Sequence, residues 1–341
     1  MKRLVLAALS LGLLTACGLS APQAGKTTDT SASTVKAKSV FVPSDNPMTQ
    51  AKIELGFRLW FEPRLSGNNK MNCATCHDHT KGFSNAERTA AGITGARGDR
   101  NVPTIYGIAN NPFQFWDGRA KSLEEQALGP IENPIEMNAK LPDVIRKLEA
   151  MEYYPRKFKE AFGTGVTADG IAKALATFER ALTVGPTPFE RYARGEKDAM
   201  SESAIRGAQI FHSPKGRCIA CHGGPDLTDG QFHNLGVGLD QPNPDAGRYA
   251  VTKNDADWGS FKTPTLRNVA LTAPYMHDGS LSTLEEVVAF YNKGGIPSAN
   301  QDPRIGPLNL SEQDQKDLVA FLRALTGKDN LKEMGKLPGI H

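Results

Sequence analysis

Cys73-Ala74-Thr75-Cys76-His77 reads C-x-x-C-H, and a second copy, Cys218-Ile219-Ala220-Cys221-His222, lies in the far half of the chain. The pattern is the attachment signature of a c-type haem. Two thiols three positions apart can add to the vinyl groups of the macrocycle, and the adjacent imidazole then supplies one axial nitrogen to the iron. One copy alone could be a redox dithiol beside a chance histidine. Two copies use four of the five cysteines. A zinc site, disulfides and redox dithiols are the alternatives. Structural zinc pairs sit about 15–20 residues apart, whereas Cys76 and Cys218 are 142 positions apart. The sequence therefore predicts two covalent haems, one on Cys73, Cys76 and His77, the other on Cys218, Cys221 and His222.

A length of 341 residues suits two domains. The formal net charge of +3 comes with no block of lysines and arginines, and no P-loop or dinucleotide fingerprint appears, so a nucleic-acid partner is not expected. Met1-Lys2-Arg3 and the apolar run Leu4 to Leu14 have signal-peptide proportions, too short to span a bilayer. Leu14-Thr15-Ala16-Cys17 resembles a bacterial lipoprotein signal, with Cys17 carrying the lipid anchor; an ordinary secretory signal cut nearby is the alternative. Either exports the chain to the periplasm. Gly18 after the cysteine favours the outer membrane over retention at the inner one. The expected organisation is a signal at 1–17, a Ser/Thr/Ala/Lys/Pro-rich tether at 18–47, and haem domains at 48–195 and 196–341.

Apolar periodicity predicts helices over Ala51–Phe61, Asp143–Phe162, Thr167–Leu182, Ser201–Phe211, Leu281–Tyr291 and Ser311–Leu325, several opened by a serine or threonine cap. Arg191 to Lys197 is polar and marks the crossing between domains. Strand signals are few. The predicted class is mainly α, two cytochrome-c-like haem domains with long loops.

The halves repeat at an offset of 161 residues. Pro103 falls on Pro264, Thr104 on Thr265, Ala109 on Ala270, Asp117 on Asp278, Gly118 on Gly279, and Leu123-Glu124-Glu125 on Leu284-Glu285-Glu286. The second half carries an extra loop between its haem histidine and the shared proline. Met276 lies where cytochromes c draw an axial methionine, with His277 the runner-up ligand, and the offset sets Phe115 at the matching place. A thioether can bind iron and a phenyl ring cannot. One haem is therefore His/Met, of raised potential, and the other has an open sixth position. No histidine lies between His79 and His212 to close the first haem; Met137 could approach it, and its neighbour Glu136 is the more telling group.

The same segments carry a family resemblance. Cys73 to His77, Arg100-Asn101-Val102-Pro103-Thr104, Gln114 to Ala120, Leu123 to Ala127, Gly129-Pro130-Ile131, Asn133 to Met137, Cys218 to His222, Thr263 to Asn268 and Ala273 to Gly279 resemble the bacterial dihaem cytochrome c peroxidases. The resemblance runs from about residue 48 to 330 and extends to the related MauG-like dihaem enzymes. It implies a peroxidatic N-terminal haem and a C-terminal haem taking electrons from an exported cytochrome c or cupredoxin. It implies Trp116 between the haems, Glu136 and Gln126 over the peroxide site, Asn101 as a ligand of one calcium ion, and a homodimer. Many members carry a histidine, before the Arg-Asn motif, that caps the resting peroxidatic haem. Ala90 to Arg100 contains none here, so reductive gating is not expected.

The expected chemistry is reduction of hydrogen peroxide to water, with Glu136 shuttling a proton between the two oxygens and Gln126 orienting them. One rival is a MauG-like oxygenase acting on a partner protein, whose second haem takes a tyrosine; Tyr275 stands next to Met276. The other is a dihaem electron carrier without turnover, against which Phe115 and Glu136 argue.

Overall fold

The computed structural model describes residues 40–336; the signal stretch, Cys17 and most of the expected tether lie outside them. The described residues are mainly helical, with one short antiparallel sheet among them. In the first half, α1 (Gln50–Trp60) leads to the single turn α2 (Cys73–Cys76). Then follow α3 (Leu123–Glu132), α4 (Leu141–Glu149), α5 (Tyr153–Phe162) and α6 (Ala168–Ala181). α7 (Pro188–Ala193) and α8 (Glu202–His212) precede the second C-x-x-C-H. β1 (Phe232–Asn234) pairs with β2 (Ser260–Lys262), and α9 (Tyr249–Thr252) lies between them. α10 (Leu284–Lys293), α11 (Glu312–Arg323) and α12 (Leu331–Met334) complete the order.

The caps do what their side chains suggest. Thr167, Ser201 and Ser311 each accept from the backbone N–H three residues on, at 3.0, 3.2 and 3.1 Å, so each satisfies a donor the helix leaves free. Three boundaries differ from the periodicity. The run 143–162 is two helices, because Pro155 has no N–H to continue the ladder and sits instead in the first turn of α5. The run from Leu281 starts late, because Leu281 pairs with Tyr275 in an antiparallel bridge and Thr283 forms a capping box with Glu286. The polar crossing is partly helical, because Thr187 and Glu190 cap α7 reciprocally. Packing also begins before residue 48. Asn46 is fully buried, donating to Glu124 at 2.8 Å and to the Lys173 carbonyl at 3.0 Å.

Each half builds one core around a helix crossing. α1 meets α6 at Gly56, where a Cβ would stand 2.0 Å from the Ala174 carbonyl oxygen. α8 meets α11 at Gly207, where a Cβ would stand 1.9 Å from the Asp317 carbonyl oxygen. Leu55, Leu59, Phe158 and Phe178 fill the first core; Phe211, Leu318, Phe321 and Leu325 fill the second.

The repeat is visible in detail. α3 and α10 begin and end 161 residues apart. The bridge Gln114–Ala120 recurs as Tyr275–Leu281. Arg180 holds Glu124 at 2.7 Å, and Arg323 holds Glu285 at 2.7 Å in the matching helices. The extra loop of the second half folds onto the first. Asp245 pairs with Arg100 at 2.7 Å, and Arg248 Nη1 donates to the Asp117 and Gly118 carbonyls at 3.0 and 2.8 Å. Lys262 N–H donates to the Trp116 carbonyl at 2.8 Å.

Candidate functional site: two cavities that meet at a tryptophan

The α2 turn is capped at both ends of its logic. Asn72 accepts from Thr75 N–H, and the Thr75 hydroxyl accepts from Asn72 N–H, both at 3.1 Å. One helical turn then sets Cys73 and Cys76 on a common face, and His77 N–H donates to the Cys73 carbonyl at 2.9 Å. The second motif repeats this with a single 3-10 turn, His222 N–H donating to the Cys218 carbonyl at 2.9 Å. None of the four cysteines forms a disulfide. Cys73 and Cys76 line one cavity and Cys218 and Cys221 another, so neither a disulfide between the pairs nor one four-cysteine zinc site is formed.

Each motif histidine is held the same way. His77 Nδ1 lies 3.0 Å from the Phe83 carbonyl, and His222 Nδ1 lies 3.1 Å from that of Leu227. A carbonyl only accepts, so the proton is on Nδ1 and the lone pair on Nε2. Burial lowers both imidazole pKa values, which keeps the rings neutral. A neutral imidazole with a free Nε2 can ligate iron. Burial also pushes the Cys76 and Cys218 thiols up to about 11.

The first cavity gathers Phe115, Trp116, Arg119, Gln126, Glu136 and Met137 with Cys73, Cys76 and His77. Among its lining residues His77 is the only imidazole. Ala90 to Gly92, Gly98 and Arg100 contribute to its wall. Gly92 lies so close to the Glu136 turn that a Cβ would stand 2.0 Å from the Ile135 carbonyl oxygen. Gln126 stands on α3; the chain leaves that helix and folds back through Asn133, so that Glu136 faces the same space. Asn133 Nδ2 donates to Glu136 Oε1 at 2.8 Å. Burial raises the Glu136 pKa, opposed by Asn133 and by Arg119. Arg119 lies over the Phe115 ring at 3.5 Å and pairs with Asp117 at 3.0 Å. Met137 is buried in the first core. His79 is exposed on the surface.

The second cavity gathers Cys218, Cys221, His222, Tyr275, Met276 and His277. Met276 has φ +72° and Phe115 has φ +65°. A left-handed backbone costs a non-glycine residue on the order of 1 kcal/mol. The chain accepts that cost at both repeat positions, once for a thioether and once for a phenyl ring. The Tyr275 hydroxyl donates to the Val269 carbonyl at 3.1 Å, and the His277 ring stacks on Phe261 with centroids 3.5 Å apart. His233, beside Cys221 and Asp229, looks like part of a metal cluster. Its two nitrogens already face Asp302 and Asp229 at 2.8 and 2.9 Å. Both ring nitrogens are thus already engaged by carboxylates, and the ring offers no free nitrogen to a metal.

Trp116 lines both cavities, and its Nε1 donates to the Asn101 carbonyl at 2.8 Å. Asn101 is buried; its N–H donates to the His277 carbonyl at 2.7 Å and its Nδ2 to that of Glu87 at 3.1 Å. Three groups escaped the sequence reading as site residues. Arg119 sat inside a recognised motif without a role. Glu179 and Lys262 had no signal, because a lone charge in a helix or strand reads as surface.

The residues fit a haem in each cavity. Both have two free thiols, a neutral imidazole and an apolar wall. Two residues lining the first cavity, Trp60 and Glu179, also carry buried polar atoms, Nε1 and Oε2, with no partner among the described residues. Burial pushes the Glu179 carboxyl up to about 8.

Residues 50–198 match the family model of di-haem cytochrome c peroxidases, and residues 204–326 match that of cytochrome c. The methylamine utilization protein MauG of Methylorubrum extorquens is 38% identical over 307 residues, covering 89% of this chain and 86% of that protein. The cytochrome c551 peroxidase of Nitrosomonas europaea is 39% identical, covering 80% and 79%. A solved MauG-like protein associated with microbial copper homeostasis superposes with a TM-score of 0.81 at 32% identity, covering 90% and 98%.

Proposed function

The chain belongs to the di-haem cytochrome c peroxidase family, and from that premise we propose that it reduces hydrogen peroxide to water with electrons from a cytochrome c or a cupredoxin. The observation that carries this reading is Phe115. It stands in the backbone conformation of Met276, in the cavity where His77 is the only imidazole and Glu136 and Gln126 face the same space. The bound haems supply one iron that takes peroxide and a second that stores and relays electrons.

The residues divide the remaining work. Phe115 has no atom that could bind a metal and would leave the matching position of the first haem without a ligand from this segment. Glu136 takes the proton from the near peroxide oxygen and returns it to the far one, so that water leaves. Its raised pKa suits that exchange. Gln126 orients the peroxide. Met276 would supply its thioether to the second iron, and Trp116 lines both cavities on the route between them. Asn101 contributes to a calcium site at the seam. The loop Ala90 to Arg100 brings no histidine to the cavity, so the oxidised protein turns over without prior reduction. Cys17 anchors the chain to the periplasmic face of the outer membrane, and the working unit is a homodimer. The engaged Tyr275 hydroxyl speaks against a tyrosine-ligated, MauG-like second site.

Low-temperature EPR of the oxidised protein, followed by one equivalent of peroxide, tests the reading. A high-spin signal beside a low-spin one, with turnover needing no prior reduction, is expected. Two low-spin signals would overturn the open site.

A further inference from the structure

Eight residues line both cavities, and one of them is charged: Lys262, on β2. The other cations that line either cavity are neutralised or bonded. Arg100 faces Asp117 and Asp245, Arg119 faces Asp117, Arg304 faces Asp302, and Arg217 donates to the Gly306 and Pro307 carbonyls. Lys262 Nζ has no hydrogen bond and no ion pair among the described residues. Its backbone is fixed, because its N–H donates to the Trp116 carbonyl at 2.8 Å and β2 pairs with β1. Removing an ammonium from water without a partner costs several kcal/mol. That cost is offset if the group filling the cavity brings the anion. Haem carries two carboxylates.

We propose that Lys262 pairs with a haem carboxylate where the two cavities meet, and so acts as a positioning residue that holds the two haems in electrical register beside Trp116. The proposal rests on the two-haem reading above and adds a residue the family motifs do not assign. A cation shared by both sites favours the reduced form of each haem, since reduction removes one positive charge from the iron. It also keeps a haem edge against the tryptophan. Burial, the only influence on the Lys262 ammonium, lowers its pKa to about 8, so the group is still largely charged near neutral pH.

The test is a spectroelectrochemical titration of the holoprotein, comparing wild type with Lys262→Met and Lys262→Arg. At the wild-type midpoint potential, the reduced-to-oxidised ratio of at least one haem is expected to fall tenfold or more in Lys262→Met. Lys262→Arg keeps the charge and recovers most of it. Ratios within twofold of wild type at both haems would overturn the proposal. If Lys262→Met fails to mature, the wild-type holoprotein decides by crystallography. Nζ within about 4 Å of a carboxylate oxygen is expected; a distance beyond about 6 Å overturns it. A wild-type protein without two covalent haems would instead sink the underlying reading, so the two failures are distinct.

Discussion

Glu136 is a single carboxylate whose environment decides whether it can act as a base near neutral pH. Glu136→Gln keeps the hydrogen bond from Asn133 within reach but cannot move a proton. Peroxide turnover is expected to fall by about 10²- to 10⁴-fold with both haems still attached, measured by donor oxidation under saturating peroxide. Turnover within twofold of wild type would remove Glu136 from the mechanism. The pH profile carries the same argument. The active form is ionised, and burial raises the folded pKa above the ordinary 4.5. Activity should therefore be lost on the acid side as pH falls through a value above 4.5, and Glu136→Gln should abolish that limb. At this scale the sequence was informative where chemistry has a spacing. C-x-x-C-H named the thiols and imidazoles, and the repeat exposed Phe115 against Met276. Glu179 and Lys262 stayed hidden, because their significance lies in what fails to meet them in space.

Helices α1 and α6, and α8 and α11, are held together by glycine at the crossing. Backbone lies where a side chain would be, so neither helix can yield without moving its partner. Gly207→Ala is expected to cost about 2–4 kcal/mol, read as a lower denaturation midpoint by circular dichroism of the holoprotein. Gly165→Ala, with nothing within 4 Å of its would-be Cβ, serves as the control and should stay within about 0.5 kcal/mol. Equal midpoints for the two variants would remove the crossing from the account. The elements themselves were largely legible. Thr167, Ser201 and Ser311 mark their helices because a hydroxyl at that position satisfies a donor the helix cannot. Boundaries were less so, since periodicity alone does not show that Pro155 restarts a helix or that Leu281 spends its backbone on Tyr275.

Across the whole molecule the extra loop of the second half is one of the grips between halves. The sequence showed that the loop exists, from the unequal spacing after the two haem histidines, but not where it goes. Arg248 spans Phe113 and Phe232, 4.7 and 4.4 Å from the ring centroids, while donating to two carbonyls of the Trp116 turn. Arg248→Ala is expected to cost about 1.5–3 kcal/mol and to lower the denaturant midpoint of the first half. A midpoint unchanged within error would show that the loop does not hold that turn.

The bonds that finish the turn beside Trp116 come from Arg248, 130 and 131 positions beyond the carbonyls it meets, and from the Lys262 N–H further on still. A chain is made from its N-terminus, and early segments fold before later ones exist. The cavity of His77 can thus gather its thiols and core first, yet its side facing the second cavity waits for the C-terminal half. A truncated or half-made chain would present an unfinished first cavity with no second cavity beside it. Construction order, set by where that loop lies, keeps the first cavity incomplete until the half that faces it has arrived.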